Sequence, residues 1–268
     1  MVNIRSFALM YIDTHTHLYS EEFDADREES IKRAKDLGIQ YFLLPAIDSE
    51  YVSSMQNLHK QHPESIFMMA GLHPAYVKPD TYKQELQVVE EQLKNHRQKY
   101  IAIGEIGIDL HWDKTTLEIQ KEAFRTQIQW AKEYELPIVI HCRKGFDPLF
   151  EVLKSEASQS LKGVFHCFSG SLDQANHALR LGLKLGIGGV VTFKNAKLGE
   201  VVQQLPLDSF VLETDSPYLA PAPYRGKRNE SSYIPHIAEK IAELHNCSVQ
   251  LVADVTTEVA KQIFKLPI

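Results

Sequence analysis

Residues 117–141 read LEIQKEAFRTQIQWAKEYELPIVIH, a charged segment followed by a short apolar run that ends in a histidine. The charged segment carries apolar side chains at helical spacing, which predicts a helix over residues 117–134. The run at residues 137–141 does not alternate with polar residues, which is typical of a strand buried on both faces of a parallel sheet. The stretch therefore predicts one helix–strand unit of an α/β fold.

Seven more apolar runs of the same kind occur along the chain. They cover residues 9–13, 40–45, 66–72, 100–106, 163–168, 183–188 and 209–213. Helices are predicted between them, including residues 24–37, which Gly38 would end, and residues 171–181, which Ser171 would cap. Strands that alternate with helices indicate right-handed crossovers and a parallel sheet.

The number and spacing of the runs allow two layouts, an open doubly wound sheet and a closed barrel. The ends of the runs follow one another at intervals of roughly 29 residues, as expected for a barrel of eight units in about 250 residues. The sequence shows no internal repeat and no linker-like change of composition. We therefore predict an α/β TIM-like (β/α)8 barrel that forms a single domain over residues 1–268.

The composition is that of an ordinary soluble globular protein, with 44% hydrophobic and 24% charged residues. No apolar run approaches the roughly 18 residues of a membrane span, so no membrane partner is expected. Three cysteines, an odd number, argue against a disulfide framework and favour a cytoplasmic location. The formal charge of −6 argues against nonspecific coating of duplex nucleic acid, and no obligate protein partner is evident.

Side chains that can bind metal ions stand at the carboxyl ends of the predicted strands. They are Asp13, His15, His17, His73, Glu105, His141, His166, Glu213 and Asp215. In a parallel barrel these ends converge on one face, where the active sites of such barrels lie. We therefore expect these side chains to meet around one centre.

Local sequence patterns indicate the roles of several of these residues more closely. His15 and His17 form a period-two pair whose rings point the same way on an extended backbone, although two polar residues in a turn would give the same pattern. Glu105 lies in an apolar run, so its carboxylate needs either a metal ion or a buried Lys or Arg as partner. Alternation at residues 141 and 166 turns both histidines into the barrel mouth and turns Cys142 and Cys167 toward the helices.

Three further stretches leave more than one role open. After the eighth strand we expect Asp215 to be the functional carboxylate, with Glu213 paired to a charge lower in the barrel, although Asp215 could also be a cap or an ion-pair partner. His73 could contact substrate or bind metal. The basic loop at residues 225–229 would either be solvated or place Arg225 and Arg228 on the oxygens of a phosphate.

A set of histidines and carboxylates without thiolates suits divalent Zn, Mg or Mn, and also iron or nickel. Five or six ligands exceed one tetrahedral site, so we predict two divalent ions bridged by a carboxylate. Such a centre activates water for hydrolysis of a phosphoester, an amide or a lactone. Asp215 would orient that water and act as the general base.

These residues resemble the TatD family of metal-dependent deoxyribonucleases, within the amidohydrolase superfamily. The similar motifs are YIDTHTHL at 11–18, GLHP at 71–74, GEIGID at 104–109, LPIVIHCR at 136–143, HCFSG at 166–170, LETDSP at 212–217 and RGKRN at 225–229. The resemblance implies metal-dependent, exonuclease-like hydrolysis of DNA phosphodiesters, with Glu105 bridging the ions and His73 near the substrate phosphate. The metal ligands that it implies are His15, His17, Glu105, His141, His166 and Asp215.

Two positions depart from the family pattern: Tyr19, where Asp or Asn is usual, and Gly145, where Thr or Ala is common. Neither removes a ligand, but both could change the surroundings of the ligands and the choice of substrate. Two other functions stay open. One is a hydrolase of small phosphoesters, lactones or amides on the same scaffold, although Glu105 stands where many such enzymes carry a carboxylated lysine. The other is a non-catalytic metal-binding scaffold, although no ligand is lost.

Overall fold

The computed structural model describes residues 9–156 and 161–266. Its strands are β1 (Tyr11–Asp13), β2 (Ile39–Leu44), β3 (Ile66–Ala70), β4 (Tyr100–Asp109), β5 (Ile138–Arg143), β6 (Gly163–Phe165), β7 (Leu183–Ile187) and β8 (Phe210–Leu212). Its α-helices are α1 (Arg27–Asp36), α2 (Val52–Gln61), α3 (Tyr82–His96), α4 (Leu117–Glu133), α5 (Phe146–Glu156), α6 (Leu172–Arg180), α7 (Leu198–Val202), α8 (Ile234–His245) and α9 (Val249–Phe264). All the predicted strands and helices are present.

The eight strands form one parallel sheet whose order follows the chain from β1 to β8. This order confirms the predicted TIM-like barrel, because an open doubly wound sheet reverses its strand order partway across. The predicted domain bounds of 1–268 stay a prediction, since residues 1–8, 157–160 and 267–268 lie outside the described residues. No helix in the described part of the chain has the length and apolar character needed to cross a bilayer.

The barrel closes between β8 and β1 through backbone bonds just beyond the strand ends. The amide of Asp215 donates to the carbonyl of His15 at 2.9 Å, and the amide of His17 donates to the carbonyl of Ser216 at 2.8 Å. We call this set of bonds the seam. It joins loops that carry three of the predicted metal ligands.

Apolar side chains fill the barrel in two layers. The outer layer lies between the strands and the helices and includes the fully buried Phe42, Phe165 and Phe210. Burying a phenylalanine side chain of this kind contributes about 1.5–3 kcal/mol. The inner layer is a cluster that α9 forms with alternate strand residues: Ile12, Tyr41, Leu43, Phe67, Ile101, Val139 and Val211. From α9, the Thr257 hydroxyl donates to the carbonyl of Met10, just before β1, at 2.9 Å. Helix α9 therefore covers the amino end of the barrel, and the carboxyl end remains for a site.

Candidate metal centre

The carboxyl ends of the strands surround a cavity of about 750 Å³. Five of the six predicted ligands and His73 line it: His17, His73, Glu105, His141, His166 and Asp215. The sixth predicted ligand, His15, is fully buried beside them. Seven of the nine strand-end side chains therefore come together, as their positions in the sequence led us to expect. Asp13 instead accepts hydrogen bonds from the amide and the hydroxyl of Thr214.

Glu105 occupies the middle of this cluster. Its carboxylate oxygens lie 2.8 Å from Nδ1 of His141, 3.1 Å from Nε2 of His15 and 3.3 Å from Nε2 of His73. Burial alone would raise the pKa of Glu105, but the surrounding imidazoles hold that pKa well below its usual value. Within the described residues its ionic neighbours are histidines rather than the buried Lys or Arg considered above.

Asp215 lies on the side of the cluster nearest the seam. Its Oδ1 atom is 3.4 Å from Nε2 of His17, 3.7 Å from Nε2 of His166 and 3.8 Å from Nε2 of His15. Burial would raise the pKa of Asp215, but these three histidines lower it. Asp215 is therefore an ionised carboxylate at neutral pH.

Four sets of side chains could each hold a metal ion, because the donor atoms of each set all lie within 4.8 Å of one another. The sets are His15–His17–Asp215, His15–Glu105–His166, His73–Glu105–His141 and His166–Cys167–Asp215. Glu105 belongs to two of them and His15 to two of them. The donors thus extend over more space than a single tetrahedral ion would use.

Three of the histidines have one ring nitrogen within 3.0 Å of a polar side chain, in a hydrogen bond for His17 and His141 and in an ion-pair contact for His166. The pairs are His17 Nδ1 with the Tyr19 hydroxyl at 2.7 Å, His141 Nε2 with Asp109 Oδ2 at 3.0 Å, and His166 Nδ1 with Glu213 Oε1 at 3.0 Å. In each ring the other nitrogen faces Glu105 or Asp215. Partners of this kind fix the tautomer and the orientation of metal-binding imidazoles.

The surroundings of His15 show whether the cluster fits a metal ion. The ring is fully buried, and neither of its nitrogens forms a hydrogen bond with any residue that the structure describes. Burial and the nearby His166 lower the pKa of His15, so the ring is neutral at pH 7 and carries a free lone pair. A buried imidazole without a hydrogen bond is costly, and a divalent ion bound by His15 and the nearby Glu105 would satisfy it. The donor set therefore fits the metal.

His73 is held differently from the other rings. Its Nδ1 accepts a hydrogen bond from the amide of Ala75 at 3.0 Å, and burial lowers the pKa of the ring. A neutral imidazole that accepts at Nδ1 carries its proton on Nε2, the atom that faces Glu105. His73 thus presents a hydrogen-bond donor to the cavity, which favours substrate contact over metal ligation.

The sequence profile of the family described as TatD related DNase matches residues 12–265. The chain belongs to the TatD family. It is 41% identical over 258 residues to YabD of Bacillus subtilis, which is named an uncharacterized metal-dependent hydrolase, and the match covers 96% of this chain and 100% of YabD. It is 31% identical to the 3'-5' ssDNA/RNA exonuclease TatD of a Rahnella strain, over 93% of this chain and 96% of that one.

The solved structures agree with this assignment. The crystal structure of YjjV, a TatD homolog of Escherichia coli, matches with a TM-score of 0.89 and 31% identity, over 97% of this chain and 100% of YjjV. Family membership confirms the predicted resemblance, the barrel and the prediction of a metal-dependent hydrolase.

The two predicted phosphate-binding arginines of this TatD-family chain do not reach the cluster. Arg228 forms a bidentate pair with Asp26 at 2.6 and 2.8 Å and lies over the ring of Phe23. The Arg225 guanidinium lies 3.9 Å from the ring centroid of Phe193. Both side chains pack where the loop after β8 folds back on its neighbours, so they are engaged away from the cavity.

The prediction that Cys167 faces the helices is wrong. Strand β6 ends at Phe165, so strand alternation does not extend to residue 167, where φ is +44°. Cys167 instead lines the cavity, with Sγ within 4.8 Å of donor atoms of His166 and Asp215. Burial raises the pKa of its thiol well above the usual value. Cys142, within β5, packs against the core, but it also lines the cavity.

Sequence reasoning missed three residues of the site. Asp109 orients His141, and the signal was its position four residues after Glu105, on the same face of an extended strand. Arg143, the last residue of β5, and Trp112, in the loop beyond β4, also line the cavity. Arg143 stands two residues after His141, on the same face of the strand, whereas the sequence spacing gave no indication for Trp112.

Proposed function

We propose that this protein is a metal-dependent deoxyribonuclease that hydrolyses DNA phosphodiester bonds in an exonuclease-like manner. The observation that carries the proposal is the Glu105-centred cluster, in which a fully buried, neutral His15 has no hydrogen-bond partner among the described residues. The relatives named 3'-5' ssDNA/RNA exonucleases support the choice of nucleic acid as substrate.

The residues proposed to hold two divalent ions, Zn, Mg or Mn, are His15, His17, Glu105, His141, His166 and Asp215. Glu105 is proposed as the shared ligand because it belongs to two of the four donor sets and its carboxylate contacts the histidines of both: His15, His166, His73 and His141. When bound, the ions supply Lewis-acid activation of water and neutralise charge on the phosphate.

The protein's own residues supply base catalysis and positioning. Asp215, ionised because neighbouring histidines lower its pKa, accepts the proton of the attacking water. His73 donates from Nε2 to a phosphate oxygen of the substrate. Glu213 and Asp109 hold the rings of His166 and His141, so that those rings do not have to reorganise during the reaction.

End-labelled single-stranded DNA and a panel of small phosphoesters, lactones and amides, each incubated with metal-loaded protein, test the proposal. We expect progressive shortening of the DNA that a chelator abolishes. Turnover of the small esters alone would contradict the nuclease proposal. Protein that binds a divalent ion but hydrolyses none of these substrates would instead support the non-catalytic metal-binding scaffold.

A further inference from the structure

The rim of the cavity carries an indole that the proposed chemistry does not use. Trp112, in the connection between β4 and α4, lines the cavity and is 74% exposed. The other tryptophan, Trp130, is buried in α4. Large aromatic side chains gain most by burial, so an indole left this exposed at the mouth of a cavity offers its surface to a ligand.

The side chain of Trp112 is held in place from one side. The Arg143 guanidinium lies 5.6 Å from its ring centroid, and the His111 ring contacts it edge-on at 4.7 Å. Asp109 accepts a hydrogen bond from the amide of His111 at 2.8 Å, and Asp113 accepts one from the amide of Thr115 at 2.7 Å. The loop is thus ordered by its own bonds, and the indole is positioned before any ligand arrives.

The charges of the cavity show which part of a nucleic acid this surface suits. Among the described residues that line it, Arg143 is the one Lys or Arg, against the carboxylates of Glu105, Asp109 and Asp215. Basic side chains therefore offer little attraction for several phosphates. On the opposite side the rim carries Tyr218, which is 50% exposed. The rim thus presents the flat rings of Trp112 and Tyr218, which are suited to stacking against nucleobases.

We propose that Trp112, backed by Arg143, is a platform on which an unpaired nucleobase stacks beside the scissile phosphate. Aromatic rings bind single strands by stacking, and Arg strengthens such contacts. A base inside a duplex is covered on both faces by its neighbours, so the platform favours single strands over duplexes. The position of the base beside the scissile phosphate rests on the proposed function; the stacking itself does not.

Binding to strands that resist hydrolysis tests the platform separately from catalysis. The probes are a short phosphorothioate-linked deoxyadenosine strand, an abasic strand of the same length and linkage, and the first strand in a duplex. They are titrated into Mg²⁺-loaded protein, with binding followed by anisotropy of a label on the strand. In a Trp130→Phe background, Trp112 is the sole tryptophan and its fluorescence reports stacking directly.

We expect the base-bearing single strand to quench Trp112 and to bind more tightly than the abasic strand and the duplex. Trp112→Ala should weaken binding of the base-bearing strand about tenfold, equivalent to about 1.4 kcal/mol, and leave binding of the abasic strand unchanged. Leu251→Ala, which removes an exposed apolar side chain from α9, is the matched control. It should leave the affinities for the base-bearing strand and the abasic strand unchanged.

Equal affinity of the unaltered protein for base-bearing and abasic strands would overturn the platform, as would full affinity of Trp112→Ala for the base-bearing strand. Hydrolysis of unmodified single-stranded DNA is measured in parallel. Base-dependent binding without hydrolysis would keep the platform and overturn the proposed function. Hydrolysis without base-dependent binding would keep the proposed function and overturn the platform.

Discussion

The hydroxyl of Tyr19 lies 2.7 Å from Nδ1 of His17 and donates its proton to the carbonyl of Pro45, also at 2.7 Å. A phenol has a single proton, so His17 must donate from Nδ1 and keep its lone pair on Nε2. That atom lies 3.4 Å from Asp215. Tyr19, one of the two departures from the family pattern, is therefore the residue that sets the tautomer of His17.

Replacing Tyr19 by Phe should weaken metal binding by about 10–100-fold, as loss of a partner that orients a ligand typically does. The ring is retained, but His17 loses its acceptor and no longer favours the Nε2 lone pair. Titration calorimetry with Zn²⁺ or Mn²⁺ measures the effect. Tyr82→Phe, which removes a hydroxyl bound to Glu122, should leave metal affinity unchanged. Equal affinity in Tyr19→Phe and the unaltered protein would show that the hydroxyl does not orient His17.

Asp215→Asn should keep the fold and reduce hydrolysis of single-stranded DNA by about 10²–10⁴-fold, the usual contribution of a general base. The amide is nearly the same size but accepts no proton. Metal content, measured on the same samples, separates loss of the base from loss of a ligand. Asp208→Asn, at an exposed carboxylate before β8, is the control. Near-normal activity in Asp215→Asn would mean that the base is assigned to the wrong residue.

Metal binding should strengthen as pH rises. Burial would lower the pKa of His166, but Glu213, Glu105 and Asp215 outweigh it and raise that pKa to about 10. The metal-free ring is therefore protonated at neutral pH, and it must lose this proton to bind an ion. Affinity should increase by up to about tenfold for each pH unit below that pKa.

Calorimetry in buffers of different ionisation enthalpy would detect the released proton. In Glu213→Gln the pH dependence should weaken, because Glu213 contributes most to raising the pKa of His166. Metal affinity that does not change between about pH 6 and pH 9 would contradict this account.

Arg228→Ala should lower the melting temperature by about 2–4 °C. This is the change expected when a protein of this size loses about 1 kcal/mol of its free energy of unfolding. Arg228 and Arg33 hold the pKa of Asp26 below its usual value. A carboxylate with a lowered pKa stabilises the fold above its unfolded pKa and loses this effect as pH falls through the folded pKa. The difference between variant and parent should therefore shrink in acid.

Thermal melts at neutral and acidic pH, with exposed Lys227→Ala as control, measure this difference. Identical melting of Arg228→Ala and the parent at neutral pH would mean that the pair with Asp26 contributes nothing to stability. Arg228 would then be free to serve substrate as the sequence suggested.

The sequence predicted those parts of the site that depend on strand position. His141 and Glu105 could be located because buried strands have a recognisable composition and their carboxyl ends must converge. Cys142 followed strand alternation, whereas Cys167 did not, because its strand ends two residues earlier. The ion pair of Arg228 could not be predicted, because its partner Asp26 is 202 residues away in the chain and loop charges show no period that reveals such a partner.

The seam determines when, during synthesis of the chain, the residues of the candidate metal centre can come together. His15 and His17 leave the ribosome early, while Asp215, whose amide bonds to the carbonyl of His15, is among the last residues of the barrel to be made. A nascent chain without β8 therefore has no closed rim and lacks one donor of the His15–His17–Asp215 set. The proposed centre can therefore be complete only after β8 has been made and has joined β1, so a fully loaded centre would be a sign that the barrel has closed.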